Sequence, residues 1–127
     1  MSLSLQSLAN EFRQKYELTN VLNHSTLSLQ CELIVEESSE VDDAFMDLED
    51  HITNIRAREH LLKELADLTY VCFQAAAAFG WDLEEAFRLV HESNLSKLGE
   101  DGKPIRSEAG KILKGPRYQH PDLSDLV

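Results

Sequence analysis

The chain has 127 residues, 43% of them apolar and 28% charged, a composition that suits one folded domain and not a disordered chain. Its formal net charge of −11 argues against non-specific binding to nucleic acid or to an anionic membrane, because Lys and Arg supply both affinities. The amino terminus has no basic region followed by an apolar stretch, and Cys31 and Cys72 lack metal-ligand spacing. We therefore expect a single cytoplasmic domain over residues 1–127 with reduced thiols.

Long helices are expected because the chain has no Gly or Pro before Gly80. Apolar residues at helical spacing predict a first helix near residues 4–16, a second over 26–50, a third over 59–79 and a fourth that begins after Asp82. Asp82 and Glu85 form a capping-box pattern, and Gly80 suits the end of the third helix. The fold class predicted is all-α, with a helical core over about residues 4–98.

Each helix has an apolar stripe that is expected to face the core. The third helix is apolar around most of its circumference, which predicts a central position. The stripe of the first helix comprises Leu5, Leu8 and Phe12, and that of the second comprises Leu27, Cys31, Ile34, Val41, Phe45 and Leu48.

The composition changes after Lys97. Residues 97–117 contain six of the twelve basic residues, together with glycines and prolines. Residues 99–127 therefore form a predicted basic loop and tail. Lys103, Lys111, Lys114 and Arg117 could close over an anionic substrate or pair with acids of a neighbouring subunit, and the sequence leaves both alternatives open.

Two groups of acidic residues recur at one-turn spacing. The second helix contains Glu36, Glu37 and Glu40 in an E-E-x-x-E arrangement, and the third contains Glu64 and Asp67 in an E-x-x-D arrangement. If these helices pack antiparallel, the carboxylates converge, and hard divalent cations would relieve their repulsion. Oxygen ligands without a nearby His or Cys favour Mg²⁺, which Mn²⁺ can replace, over zinc or a di-iron site.

A solvated acidic surface is the competing interpretation of the second helix, because Glu36, Glu40, Asp43 and Asp47 form a continuous stripe. The third helix favours a metal site, because Glu64 has Leu61, Leu65, Leu68 and Val71 as helical neighbours, an unusual place for an unpaired carboxylate.

With these motifs, the chain resembles the all-α nucleotide pyrophosphohydrolases, which include MazG-like proteins, dimeric dUTPases and phosphoribosyl-ATP pyrophosphohydrolases. The segment from His91 to Lys97 also resembles an H-x-x-N-x-x-K segment of MazG-like proteins, and the likeness extends over about residues 29–121. The resemblance implies a bundle of four or five helices that assembles as a homodimer or a dimer of dimers.

The resemblance also implies roles for individual residues. Glu37, Glu40, Glu64 and Asp67 correspond to the metal ligands, and Glu36 is either a further ligand or the group that orients the attacking water. Asn94, Lys97 and His91 are expected to bind the substrate. The implied reaction is hydrolysis of a nucleoside triphosphate to the monophosphate and pyrophosphate.

The sequence is compatible with three functions. The main expectation is nucleotide-pool house-cleaning, with dUTP, dCTP or a non-standard triphosphate as the substrate. The second is phosphoribosyl-ATP pyrophosphohydrolase activity in histidine biosynthesis, and the third is a non-catalytic acidic helical interaction module. Nucleic acid and membrane are not expected partners.

Overall fold

The computed structural model describes residues 3–127, and the secondary structure of this part is helical, as predicted. Four α-helices are present in it: α1 (Leu5–Lys15), α2 (His24–Asp50), α3 (Ile55–Phe79) and α4 (Leu83–Leu95). A 3₁₀ turn (Ser124–Leu126) lies at the carboxyl terminus. The chain divides into two compact units, one ending at Trp81 and the other beginning at Asp82.

Short polar side chains fix the beginnings of the helices, because their oxygens accept hydrogen bonds from amides that have no partner in the first turn. The four N-cap residues are Ser4, Asn23, Asn54 and Asp82. Gly80 ends α3 with a φ of 78°, a left-handed conformation that glycine adopts without strain. The predicted helix ends at Gly80 and Asp82 are therefore confirmed.

The beginning of α3 differs from the prediction. The sequence predicts a turn through Arg58, whereas α3 begins at Ile55 and the turn comprises only residues 51–54. The reason is Asn54, whose side-chain oxygen accepts hydrogen bonds from the backbone N–H groups of Arg56 and Ala57. This tight connection makes α2 and α3 a helical hairpin.

In the first unit, α3 packs against both α1 and α2 and is the central helix, as predicted. The residues that α1 and α2 bury are mostly polar or small. Helix α1 buries Gln6, Ala9 and Arg13, and α2 buries Gln30 and Ala44.

The prediction that the apolar stripes of α1 and α2 are buried within one chain is wrong. Leu5, Leu8 and Phe12 of α1 are exposed, and so are Leu27, Cys31 and Phe45 of α2. Ile34, Val41 and Leu48 are only half-buried. Among the described residues, no large side chain is less than 2% exposed, so the first unit has apolar surfaces that its own helices do not cover.

In the second unit, the chain after α4 folds into an ordered loop. Arg106 and Ile112 form an isolated antiparallel bridge, and the following segment returns to α4. There the Ser93 hydroxyl donates to the Gln119 carbonyl at 2.7 Å, and the Gln119 amide donates to the Ser96 hydroxyl at 3.0 Å. The predicted basic tail is thus held by specific hydrogen bonds.

Within residues 3–127, none of the helices combines the length and the apolar character that crossing a bilayer requires.

Candidate metal centre

Three carboxylates of the two predicted motifs converge between α2 and α3. Glu37, Glu40 and Glu64 each place an oxygen within 4.8 Å of the oxygens of the other two. Glu64 is only 3% exposed, Glu37 is half-buried and Glu40 is exposed. The helical hairpin therefore brings the E-E-x-x-E and E-x-x-D segments together, as their spacing predicts.

The position of Glu37 follows from the way α2 packs. The buried residues Gln30 and Ala44 are each seven positions from Glu37, so all three lie on one face of the helix. Since α2 packs against α3, this seam faces the central helix. Glu37 thus occupies a seam position where an apolar residue would normally pack.

Two buried oxygens of this cluster have no hydrogen-bond donor. Glu37 Oε2 and Glu64 Oε2 are both inaccessible to solvent and lack a partner within the described chain. An uncompensated buried charge costs roughly several kcal/mol, and two neighbouring carboxylates also repel each other. These two oxygens are therefore uncompensated, and a set of carboxylate oxygens is the kind of ligand set that fits Mg²⁺ or Mn²⁺.

Lys63 supplies the nearest fixed positive charge. Its ammonium lies 2.8 Å from Asp67 Oδ2 and 3.5 Å from Glu64 Oε1. The hydrogen bond to Asp67, with the charges of Asp67 and Glu64, raises the pKa of Lys63 above its ordinary value. Glu64 Oε1 also lies 3.8 Å from His60 Nδ1, so the expectation that no histidine lies near these acids is wrong. The converging ligand atoms are nevertheless those of Glu37, Glu40 and Glu64.

Two of the predicted site acids lie apart from the converging oxygens. Asp67 is half-buried and forms its ion pair with Lys63, and Glu36 is exposed on α2. The ligand role of Asp67 and the role of Glu36 stay predictions. Sequence reasoning missed the ion pair of Lys63, although its spacing of four residues from Asp67 was a usable signal.

Gln30 is a further polar residue that sequence reasoning missed. It lies on the same face of α2 as Glu37, is 4% exposed, and its Oε1 atom has no hydrogen-bond partner in the described chain. Seven residues of helix separate the two side chains by about 10 Å along the axis. Sequence reasoning could not identify Gln30 as buried, because glutamine is ordinarily a surface residue and does not contribute to an apolar pattern.

The predicted substrate-binding residues belong to the second unit. His91 and Asn94 are exposed on α4, three positions apart and hence on one side of the helix. Lys97 lies beyond the end of α4 at Leu95, in a turn where its amide donates to the Asn94 carbonyl at 3.2 Å.

A family model described as phosphoribosyl-ATP pyrophosphohydrolase matches residues 6–94, which is well over half of the chain. The chain belongs to this family. The family lies within the MazG-like nucleotide pyrophosphohydrolase superfamily, so the predicted superfamily is confirmed. Among curated proteins, none matches the chain.

Membership of the phosphoribosyl-ATP pyrophosphohydrolase family confirms the predicted class of enzyme, a hydrolase that acts on phosphoanhydride bonds. The matched region contains both carboxylate motifs and extends to Asn94. Lys97 and the basic loop lie beyond it.

Proposed function

We propose that this chain hydrolyses a nucleoside triphosphate group between its α- and β-phosphates in a reaction that needs Mg²⁺, and that phosphoribosyl-ATP is its substrate. The observation that carries the proposal is the pair of buried, unpartnered oxygens of Glu37 and Glu64. An anionic triphosphate can approach an acidic site only if cations lie between them.

Glu37, Glu40 and Glu64 are the proposed metal ligands, because their oxygens already converge. Asp67 is proposed as the fourth, and its Oδ2 atom, which contacts Lys63, would be available to an ion only after that contact breaks. Glu36 is either a further ligand or the group that orients the attacking water. When bound, Mg²⁺ or Mn²⁺ would neutralise phosphate charge and lower the pKa of a coordinated water.

The chemical change is a displacement at the α-phosphorus. The oxygen of water forms a bond to the α-phosphorus and the water loses one proton. The bond to the bridging oxygen breaks, and pyrophosphate leaves with that oxygen. The carboxylates of this chain hold and orient the reacting groups. The burial of Glu64 keeps bulk water away from this part of the site and strengthens its electrostatic interactions.

His91, Asn94 and Lys97 are proposed to bind the substrate. Asn94 can donate a hydrogen bond to a sugar or phosphate oxygen, and Lys97 can pair with a phosphate. This assignment is supported by the resemblance of residues 91–97 to the corresponding segment of MazG-like proteins, and the α4 geometry is compatible with His91 and Asn94 acting together.

The family match favours phosphoribosyl-ATP over the house-cleaning substrates that the sequence first suggested. A dUTP-type, dCTP-type or non-standard triphosphate is the second candidate. It is favoured by the MazG-like segment and tail, which lie largely beyond the matched residues. The carboxylate motifs themselves suit either substrate, because they act on the phosphates.

A second copy of this chain is the proposed partner of the first unit, in a homodimer or a dimer of dimers. A groove of about 430 Å³ between α1 and α3 is lined by apolar side chains that include Leu5, Leu8, Leu62 and Leu65. Leu62 is 70% exposed, and the apolar stripe of α2 is exposed as well. Apolar surfaces on every helix of one unit need more cover than a small ligand gives, and a second copy supplies matching surfaces.

Pyrophosphate release from a panel of nucleotides tests the proposed reaction. The panel comprises phosphoribosyl-ATP, dUTP, dCTP and the standard triphosphates, each assayed with Mg²⁺, with Mn²⁺ and with a chelator. We expect turnover only with metal and the highest kcat/KM with phosphoribosyl-ATP. A higher kcat/KM for a dUTP-type or dCTP-type substrate would favour the house-cleaning function. No turnover of any nucleotide would refute the enzymatic function and favour a non-catalytic interaction module.

A further inference from the structure

The segment after α4 has a concentration of positive charge of which the proposed reaction uses only Lys97. Residues 97–117 contain six basic and three acidic residues, in a chain whose net charge is −11. The family match ends at Asn94, so the family description does not extend to this segment. Its chemistry must therefore follow from its own structure.

Residues 103–117, here called the basic hairpin, form an ordered loop. The bridge between Arg106 and Ile112 is flanked by two hydrogen bonds, from the Ser107 amide to the Lys111 carbonyl at 2.9 Å and from the Leu113 amide to the Ile105 carbonyl at 2.8 Å. Gly110, at a φ of 85°, closes the turn. The charged side chains are therefore carried on a defined backbone.

The basic hairpin is fixed to the end of α4 by a close backbone contact. The Gly115 amide donates to the Lys97 carbonyl at 2.8 Å. A Cβ atom at position 115 would lie 2.4 Å from the Leu98 carbonyl oxygen, so only glycine fits there. This contact fixes the position of the basic hairpin relative to the backbone of Lys97.

The six cations of residues 97–117 have no carboxylate partner within the described part of the chain. Elsewhere, Lys63 pairs with Asp67, and Arg88 pairs with Glu85 and Glu92. Like charges on a small loop repel each other, which lowers its stability unless an anion compensates them. An ordered loop with this charge is therefore suited to an anionic ligand.

Arg106 and Lys114 are the cations that the bridge places on the same side. Paired residues of an antiparallel bridge direct their side chains to one face, and the residue two positions further along an extended strand does so too. By this alternation Arg106 shares a face with Ile112 and Lys114, and Lys111 lies on the opposite face. The Arg106 guanidinium also donates to the Gly110 carbonyl at 3.4 Å. The Lys114 ammonium is held 4.7 Å from the centre of the Tyr118 ring.

We infer that the basic hairpin binds condensed phosphate, through Arg106 and Lys114. The ligand is either the triphosphate group of the substrate or the pyrophosphate that the reaction releases, an assignment that rests on the proposed function. Arginine suits it because the guanidinium can donate two hydrogen bonds to one phosphate, and lysine adds a point charge. A nucleic acid ligand is disfavoured by the charge of −11 on the whole chain.

Calorimetric titration of the full-length protein, in a chelating buffer and again in Mg²⁺, tests this inference without turnover, because none of the probes is a substrate of the proposed reaction. The probes are pyrophosphate, α,β-methylene ATP and AMP, and the variants are Arg106→Gln and Lys114→Gln. Lys111→Gln is the matched control, because it removes the same charge from the opposite face of the hairpin. Circular dichroism checks that each variant keeps its helical content.

We expect each of the two variants to weaken binding of pyrophosphate or of the ATP analogue by roughly tenfold, and Lys111→Gln to change it by less than about twofold. If the variants lose affinity for pyrophosphate alone, the hairpin is a product site. If they lose affinity for the ATP analogue, it is a substrate site. Unchanged affinity in both variants, or an equal loss in Lys111→Gln, overturns the inference. Because no step of the titration needs catalysis, a failure of the proposed reaction would be seen separately, in the nucleotide panel.

Discussion

The ammonium of Lys63 lies 2.8 Å from a carboxylate oxygen of Asp67, one turn further along α3. This ion pair keeps positive charge beside the buried Glu64. It also occupies a carboxylate that we propose as a metal ligand. Lys63 therefore competes with the cation that the site is proposed to bind.

Replacing Lys63 tests this competition. We expect Lys63→Gln to lower the Tm in a chelator, because the acidic cluster loses its nearest cation, and to enlarge the rise in Tm that Mg²⁺ produces. Folding raises the pKa of Lys63, so its contribution to stability is present below pH 10.5 and is lost only above that. Thermal melts of the variant and of Lys15→Gln, an exposed basic residue of α1, provide the comparison. An unchanged response to Mg²⁺ would count against the competition.

Glu64 is the proposed metal ligand with the least solvent exposure. We expect Glu64→Gln to reduce kcat by at least roughly a hundredfold and to abolish the stabilisation by Mg²⁺, because a ligand is lost. Its Tm in a chelator should equal or exceed that of the wild type, since a repelling charge is removed. Asp43→Asn, on the exposed side of α2, is the control and should keep full activity. Normal turnover in Glu64→Gln would remove the metal assignment.

Arg13 connects α1 to α3 and to the loop between α1 and α2. It is 5% exposed, burial lowers its pKa, and its guanidinium donates to Asn20, Thr19 and Gln74. We expect Arg13→Ala to reduce the free energy of unfolding by roughly 1–3 kcal/mol, because the buried Gln74 and two partly buried acceptors lose their donor. Denaturant titration measures the change. The nearby surface variant Lys15→Ala should differ from the wild type by less than about 0.5 kcal/mol, and equal effects would show that the buried contacts contribute nothing.

Leu62 tests the proposed association of two copies. We expect Leu62→Glu to shift the protein towards monomer in light scattering, because a carboxylate would enter an apolar interface. Ile52→Glu places the same charge at an equally exposed apolar residue in the turn between α2 and α3, and should leave the mass unchanged. A wild-type protein that is monomeric at all concentrations would refute the association outright.

The sequence predicted the helices well where a local signal marks their ends. Asp82 and Gly80 were recognised as capping residues, and both act in that way. The beginning of α3 was misplaced because Asn54 precedes residues that are mostly charged, so no apolar periodicity drew attention to its cap. Local chemistry decided this boundary, and the hydrophobic pattern did not show it.

The buried faces could not be predicted from the sequence in the same way. Apolar stripes show which side of a helix avoids water, but not whether the same chain or another one covers it. Helix α1 therefore has the predicted apolar stripe, but its residue Leu8 is exposed, whereas Arg13 is buried. The convergence of Glu37 with Glu64 was predictable, because spacing fixes the face. The pairing of Lys63 with Asp67 depends on side-chain conformations that spacing alone leaves open.

Glu37 occupies a helical seam in line with Gln30 and Ala44, which gives the proposed ion a place in the packing of α2 on α3. An ion held there would bridge carboxylates of both helices and so add a contact between them at this layer. Amide hydrogens around that layer should then exchange with solvent more slowly when metal is present. The part of the protein that performs the reaction would also fasten its two longest helices together.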